Sequence, residues 1–195
     1  IEYLQTNRRE LELTKAISLK RLAPMQLDDL RFNGKCEFTV PELLFDLDCP
    51  GHYRRRIKSL TISVPGVTGP YTAIGLAASY RESKTKNQDG TSTADPARST
   101  VQSITLSSGQ RDGGLFELSH NDERYLPFEL CGVSGKWTLE FLSTFPSFDR
   151  STIADVVLEI RYTALEDADT RKRDNDGIIS AYNQASQVGT KAIGH

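Results

Sequence analysis

The sequence predicts a mainly β protein: an antiparallel β-sandwich with a helical segment at its N-terminal end and a flexible tail at its C-terminal end. Two observations carry that class. Apolar residues recur at every second position in a succession of short runs, the period of a half-buried strand. Between the runs stand Pro65-Gly66, Gly69-Pro70, Asp89-Gly90, Gly109, Gly113-Gly114, Gly132 and Pro146, which are turn formers. Several short strands at this spacing, with turns between them, suggest an antiparallel sandwich.

Taken in order, residues 1–22 open with helix formers. Leu4 and Leu11 are seven apart and share a helical face, so a helix is predicted for the first half. After Lys15, Ile17 and Leu19 alternate with Ser18 and Lys20 as in a strand, which Pro24 ends. Cys36, Phe38 and Val40 then form one strand face. Ile57 is followed by Leu60, Ile62 and Val64, with a change of phase near Ser59 that predicts a bulge. Ile74, Leu76, Ala78 and Tyr80 make the next face. Val101 with Ile104 and Leu106, then Trp137, Leu139 and Phe141, then Ile153 with Val156, Leu158, Ile160 and Tyr162 supply the rest. Arg81–Thr100 is polar and aperiodic and is predicted to be a long exposed loop. The segment from Glu166 to His195 is short of apolar residues and reads as a flexible tail or linker. The organisation is therefore 1–16 as the end of an upstream helical unit or linker, 17–165 as the sandwich, and 166–195 as the tail. The chain begins at Ile1 in mid-pattern, which predicts a piece cut from a longer polypeptide.

At 195 residues the chain is long enough to bury a core without disulfides or metal. Its net charge of -2 gives no broad basic field for nucleic acid or an anionic membrane. No apolar run is long enough to span a bilayer. Cys36, Cys49 and Cys131 are an odd, irregularly spaced set and read as free thiols.

Cys49 and His52 flank a Pro-Gly turn just before Arg54, Arg55 and Arg56 and are the first candidates for chemistry. A nucleophilic thiol needs a base in reach and a third group to orient it. No orienting group is marked, so a structural turn with a packed cysteine is the simpler reading. His120, Asp122 and Glu123 in "SHNDERY" have cation-binding types, but a solvated loop with Arg124 pairing a carboxylate is the preferred reading. Asp174, Asp176, Gly177 and Ile179 imitate the inner part of a calcium loop. Lys172 and Asn183 stand where its end ligands belong, so the likeness is read as coincidence. Phosphate-loop, nucleophile-elbow and zinc-protease motifs do not occur, so no catalytic residue, metal ligand or cofactor is predicted and the protein is read as a non-enzyme.

The stretch "CEFTVPELLFDLDCPGHYRRRIKSLTISVPGVTGPYT" resembles the C-terminal domain of the TcA subunit of bacterial Tc (toxin complex) insecticidal toxins. "SITLSSGQRDGGLFE", "DERYLPFE", "GKWTLEFL" and "IADVVLEIRYTA" follow in the same order, so the resemblance covers about Glu10 to Ala164. The resemblance implies a binding module in a secreted or cell-surface-associated toxin. In that family TcA forms a pentameric channel, and its C-terminal domains receive TcB, whose β-propeller belongs to a TcB-TcC container that opens into the channel. The segment "ELELTKAISLKRLAP" looks like the junction from the channel-forming region. Partner contact is expected from the basic Arg81, Lys84, Lys86 and Arg98 of the long loop, with Tyr125 and Phe128 as aromatic anchors. The runner-up is a carbohydrate-binding β-sandwich, for which Tyr53, Tyr71 and Tyr125 flank turns while Trp137, the single tryptophan, sits in a core-like strand.

Overall fold

A computed structural model describes residues 10–65, 74–94, 102–108, 115–119, 128–142 and 149–192. The chain is mainly β, built from two antiparallel sheets. In order, its elements are β1 (Leu11–Ser18), α1 (Leu19–Leu22), α2 (Pro24–Asn33), β2 (Lys35–Val40), α3 (Leu43–Asp48), β3 (His52–Pro65) and β4 (Ile74–Lys86). Then come β5 (Ser92–Ala94), β6 (Gln102–Ser108), β7 (Leu115–Ser119), β8 (Ser134–Phe141), a 3-10 turn (Arg150–Thr152), β9 (Val157–Glu166) and α4 (Ala168–Ala192). One sheet runs β1-β9-β3-β7; in the other, β8 lies between β2 and β4, and both β5 and β6 pair with β4.

Alternation sets the faces of both sheets. Cys36, Phe38 and Val40 of β2 turn inward beside Leu139 and Trp137 of β8, and Leu76, Ala78 and Tyr80 of β4 complete that wall. Ile57, Leu60, Ile62 and Val64 of β3 lie beside Leu158, Ile160 and Tyr162 of β9 in the other sheet. All belong to one apolar cluster, the packing expected of a sandwich. The change of phase predicted near Ser59 is a register shift in β3 between Ile57 and Ser59.

Four expectations need correction. The strand expected at Ile17 begins earlier, at Leu11: the residues before it are strand, not helix, because all eight of Leu11–Ser18 pair with β9, and tertiary pairing outweighs helix propensity; the residues before Glu10 lie outside the described set. Leu19 is not in a strand. The Ser18 hydroxyl accepts from the Arg21 amide to cap α1, and Pro24, rather than ending a strand, opens α2 at a first-turn position that needs no amide hydrogen. The predicted long loop is a hairpin over much of its length: β4 continues through Lys86, and Lys84, Thr85 and Lys86 pair with Ala94, Thr93 and Ser92. Asp89-Gly90 makes the turn, with Gly90 left-handed at φ 86°.

The expected flexible tail is the helix α4. Asp167 caps its first turn by accepting from the Thr170 amide. Thr170, wholly buried, donates its hydroxyl to the Gln88 carbonyl at 2.8 Å, and the Arg173 guanidinium reaches the same oxygen at 2.8 Å. Asp174 accepts from the Gly51 amide at 2.8 Å and from Lys86 at 2.6 Å. Gly51 holds φ 90°, and a Cβ there would meet the Arg171 Cβ at 2.6 Å, so strand and helix touch backbone to backbone. Composition missed this helix because polar contacts, not an apolar face, hold its first turns. The calcium-like segment lies inside it, with Asp174 already committed to Lys86 and Gly51.

Candidate docking surface

The three consecutive arginines have three different fates. Strict alternation would put Arg54 and Arg56 on one face, but a register shift between Tyr53 and Arg56 breaks it. Arg54 is exposed, in the left-handed region at φ 48°. Arg56 bridges to Gly132. Arg55 is completely buried. Its Nη1 donates to Glu42 at 2.6 Å and to Asp46 at 2.7 Å, and its Nη2 to the Cys49 carbonyl at 2.9 Å. Lys86 extends the cluster, joining Asp46 at 2.7 Å to Asp174 at 2.6 Å. Two cations thus stand among three carboxylates contributed by α3 and α4. Burial pushes the Glu42 carboxyl up even with Arg55 against it.

Cys49 and His52 both border this cluster. Cys49 contributes its carbonyl, not its thiol, to Arg55. His52 is buried with its Nδ1 unpartnered. Burial lowers its pKa, and the positive charges of Arg55 and Arg171 lower it further, against Asp174. The folded state therefore favours neutral imidazole. The stability this contributes is complete above the unfolded value near 6.5 and is lost as pH falls through the lower folded value. Chemical denaturation at pH 7 and at pH 5.5 should show a loss on acidification that His52→Gln removes; an equal loss in that variant would place the sensitivity elsewhere.

The run that follows Phe128 is tied to β3 by backbone bonds and to β4 through the Ser83 hydroxyl. Gly132 lies in the short run between the turn at Phe128–Leu130 and β8. It bridges Arg56, and its amide donates to the Ser83 hydroxyl at 2.7 Å. On either side of this junction the Ile57 amide donates to the Cys131 carbonyl and the Leu130 amide to the Ile57 carbonyl, each at 2.8 Å. The approach requires glycine, since a Cβ on Gly132 would stand 1.9 Å from the Lys84 carbonyl oxygen. Beneath it the Tyr80 hydroxyl lies 2.6 Å from the Gly132 carbonyl and 2.9 Å from that of Ser134. The Tyr80 ring stacks on Trp137 at 4.2 Å, and Phe128 meets both rings edge-on.

Of the predicted contact residues, Arg81 and Lys84 are exposed on β4, on either side of a register shift. Lys86 is not a surface charge; it is 4% exposed because α3 and α4 close over it with carboxylates. Phe128 is not an exposed anchor; its ring is in the core. Arg98 and Tyr125 lie outside the described residues, as do His120, Asp122 and Glu123. Among the described residues no group of three His, Cys, Asp or Glu side chains is placed to hold a metal ion.

Sequence reasoning missed a further feature of this junction. Glu82 in the β4 bulge (φ 54°) and Leu130 in the turn before β8 (φ 64°) are left-handed, as Arg54 is. That conformation costs a non-glycine residue about 1–2 kcal/mol. Nothing in the residue types marks it, since glycine or asparagine is the usual signal.

The family model of the Tc toxin complex TcA C-terminal TcB-binding domain matches residues 1–164. The chain is 35% identical over 181 residues to toxin subunit YenA2 of Yersinia entomophaga, taking in 83% of this chain and 13% of that protein. It is similar in fold to a cryo-EM structure of Yersinia pseudotuberculosis TcaA-TcaB, with a TM-score of 0.51 and 23% identity over 85% of this chain and 10% of that one. The chain thus spans a small fraction of the proteins it matches, and α4 begins just beyond the end of the family match.

Proposed function

The chain belongs to the Tc toxin complex TcA C-terminal TcB-binding domain family, and from that premise we propose that it docks the β-propeller of TcB so that a TcB-TcC container opens into a TcA channel. The channel is a pentamer, and this domain is repeated around its mouth as part of a secreted or cell-surface toxin. The domain acts by binding and carries no catalytic step of its own. The observation that carries the reading is the family match along nearly the whole sandwich.

The runner-up, sugar binding, gains nothing from the comparisons. Tyr53 is buried, and Trp137 is wholly inside the core, so neither offers a ring for a sugar to stack on.

The test is association with a TcB-TcC complex, followed at low and high salt. Of the four basic residues expected to meet the partner, Arg81 and Lys84 are the ones described as exposed and placed to steer an acidic partner, and steering acts on the association rate. Arg81→Ser with Lys84→Ser should slow association severalfold at low salt and flatten its salt dependence. Failure of the unaltered chain to bind TcB-TcC at all would overturn the docking assignment, whereas an unchanged salt slope would remove only these two residues from it.

A further inference from the structure

Left-handed backbone appears in two ways in this molecule. At Gly34, Gly51 and Gly90, where a turn or a close approach is all the fold needs, glycine supplies it. At Arg54, Glu82 and Leu130 it is held by large side chains, and among the described residues these are the non-glycine positions with positive φ. They come from three separate segments: the start of β3, the bulge of β4 and the turn before β8. Yet each lies within two residues of the same junction, made by Arg56, Ser83 and Gly132. All three side chains are exposed.

Strain of this kind persists only where the surroundings over-determine it, and it gathers at functional sites. The surroundings here do so. Gly132 is locked against Lys84, the Tyr80 hydroxyl reaches two carbonyls from within the core, donating its one hydrogen to either, and paired amides and carbonyls tie Ile57 to Leu130 and Cys131. Glycine at the three positions would relieve the strain without disturbing these bonds, so the fold does not explain the side chains. What they share is exposure next to one junction held from within the core, so that a cation, an anion and an apolar group flank it. That is the composition of a protein contact in which Leu130 is covered and the two charges fix orientation.

We propose that Arg54, Glu82 and Leu130 form the contact by which this domain retains TcB. The proposal rests on the docking assignment above and names the surface that performs it. It assigns the three residues a different part from Arg81 and Lys84: the basic pair governs arrival, and the strained trio governs release.

The experiment measures TcB-TcC dissociation and thermal midpoint for the unaltered chain and for the triple variant Arg54→Gly, Glu82→Gly, Leu130→Gly. The expected result is a midpoint unchanged or raised by a few degrees, with dissociation at least tenfold faster. A second triple variant with asparagine, which tolerates left-handed backbone, guards against a loss of folding specific to glycine. Single glycine variants apportion the effect. If the triple variants fold and release TcB at the unaltered rate, the trio is not the contact, and docking stands without it. If the midpoint falls sharply in both triple variants, the side chains serve the fold and the proposal fails. If the unaltered chain forms no complex, the docking assignment fails and takes the trio with it.

Discussion

Arg55→Met should lower stability by about 3–5 kcal/mol, the range for removing one member of a buried, hydrogen-bonded charge cluster. The cost does not come from the lost attraction alone. Glu42 and Asp46 are 15% and 14% exposed at their side chains, and without the guanidinium Glu42 faces the low-dielectric interior with no cation on it. Lys86 still holds Asp46 but is shared with Asp174. Burial already raises the Glu42 carboxyl's pKa, and loss of the guanidinium in the variant should raise it further. Denaturant unfolding at pH 5 and pH 8 should then show a larger deficit at the higher pH, where the unpaired carboxylate is charged. Adding Glu42→Gln should recover part of the loss. An Arg55→Met variant with the unfolding midpoint of the unaltered protein would mean that the cluster is solvated and the burial of Arg55 irrelevant.

That cluster also marks how far the sequence could be read. The strands of the core were legible because period two is imposed by the backbone: Cys36, Phe38, Val40, Leu158 and Ile160 turn inward where alternation puts them. The phase change at Ser59 was legible for the same reason. Polar burial was not, because it depends on partners distant in sequence: Asp174 meets Lys86 across 88 residues and Gly51 across 123. A tail judged by its lack of apolar residues therefore read as a linker when it is a helix anchored by ions and carbonyls. The N-terminal segment failed in the opposite direction, since its helix formers were overridden by eight residues of pairing with β9. The family was legible because fixed phrases survive in order, but the phrases name strands and turns. They did not reveal that Lys86 and Phe128 point inward, nor that Arg54, Glu82 and Leu130 are left-handed.

The second large effect is expected at Trp137, where sequence and structure agree on the core. The ring is wholly buried and fills the space between two strands, with Phe38 opposite it on β2 and Tyr80 opposite it on β4. Tyr80 stacks on one side of it at 4.2 Å, and Phe128 meets it at 5.1 Å. Trp137→Ala removes those aromatic contacts together and leaves a void that β-sheet backbone on both sides cannot collapse to fill. The expected loss is about 3–5 kcal/mol. For a domain of this size that is a fall in Tm of roughly 6–20 °C. Trp137→Phe separates packing from polarity. The indole Nε1 is buried without a hydrogen-bond partner, and an unmet donor of that kind costs about 1–3 kcal/mol. Phenylalanine removes that penalty while keeping one ring on Tyr80, so its loss should be well under half that of alanine. The alanine variant should also loosen the junction, because Tyr80 orients the Gly132 and Ser134 carbonyls and loses its stacking partner. Faster hydrogen exchange at the Gly132 amide, at denaturant concentrations well below the unfolding midpoint, would register that coupling. An alanine variant with unchanged Tm would show that the ring does not support the core, and the junction would then need another foundation.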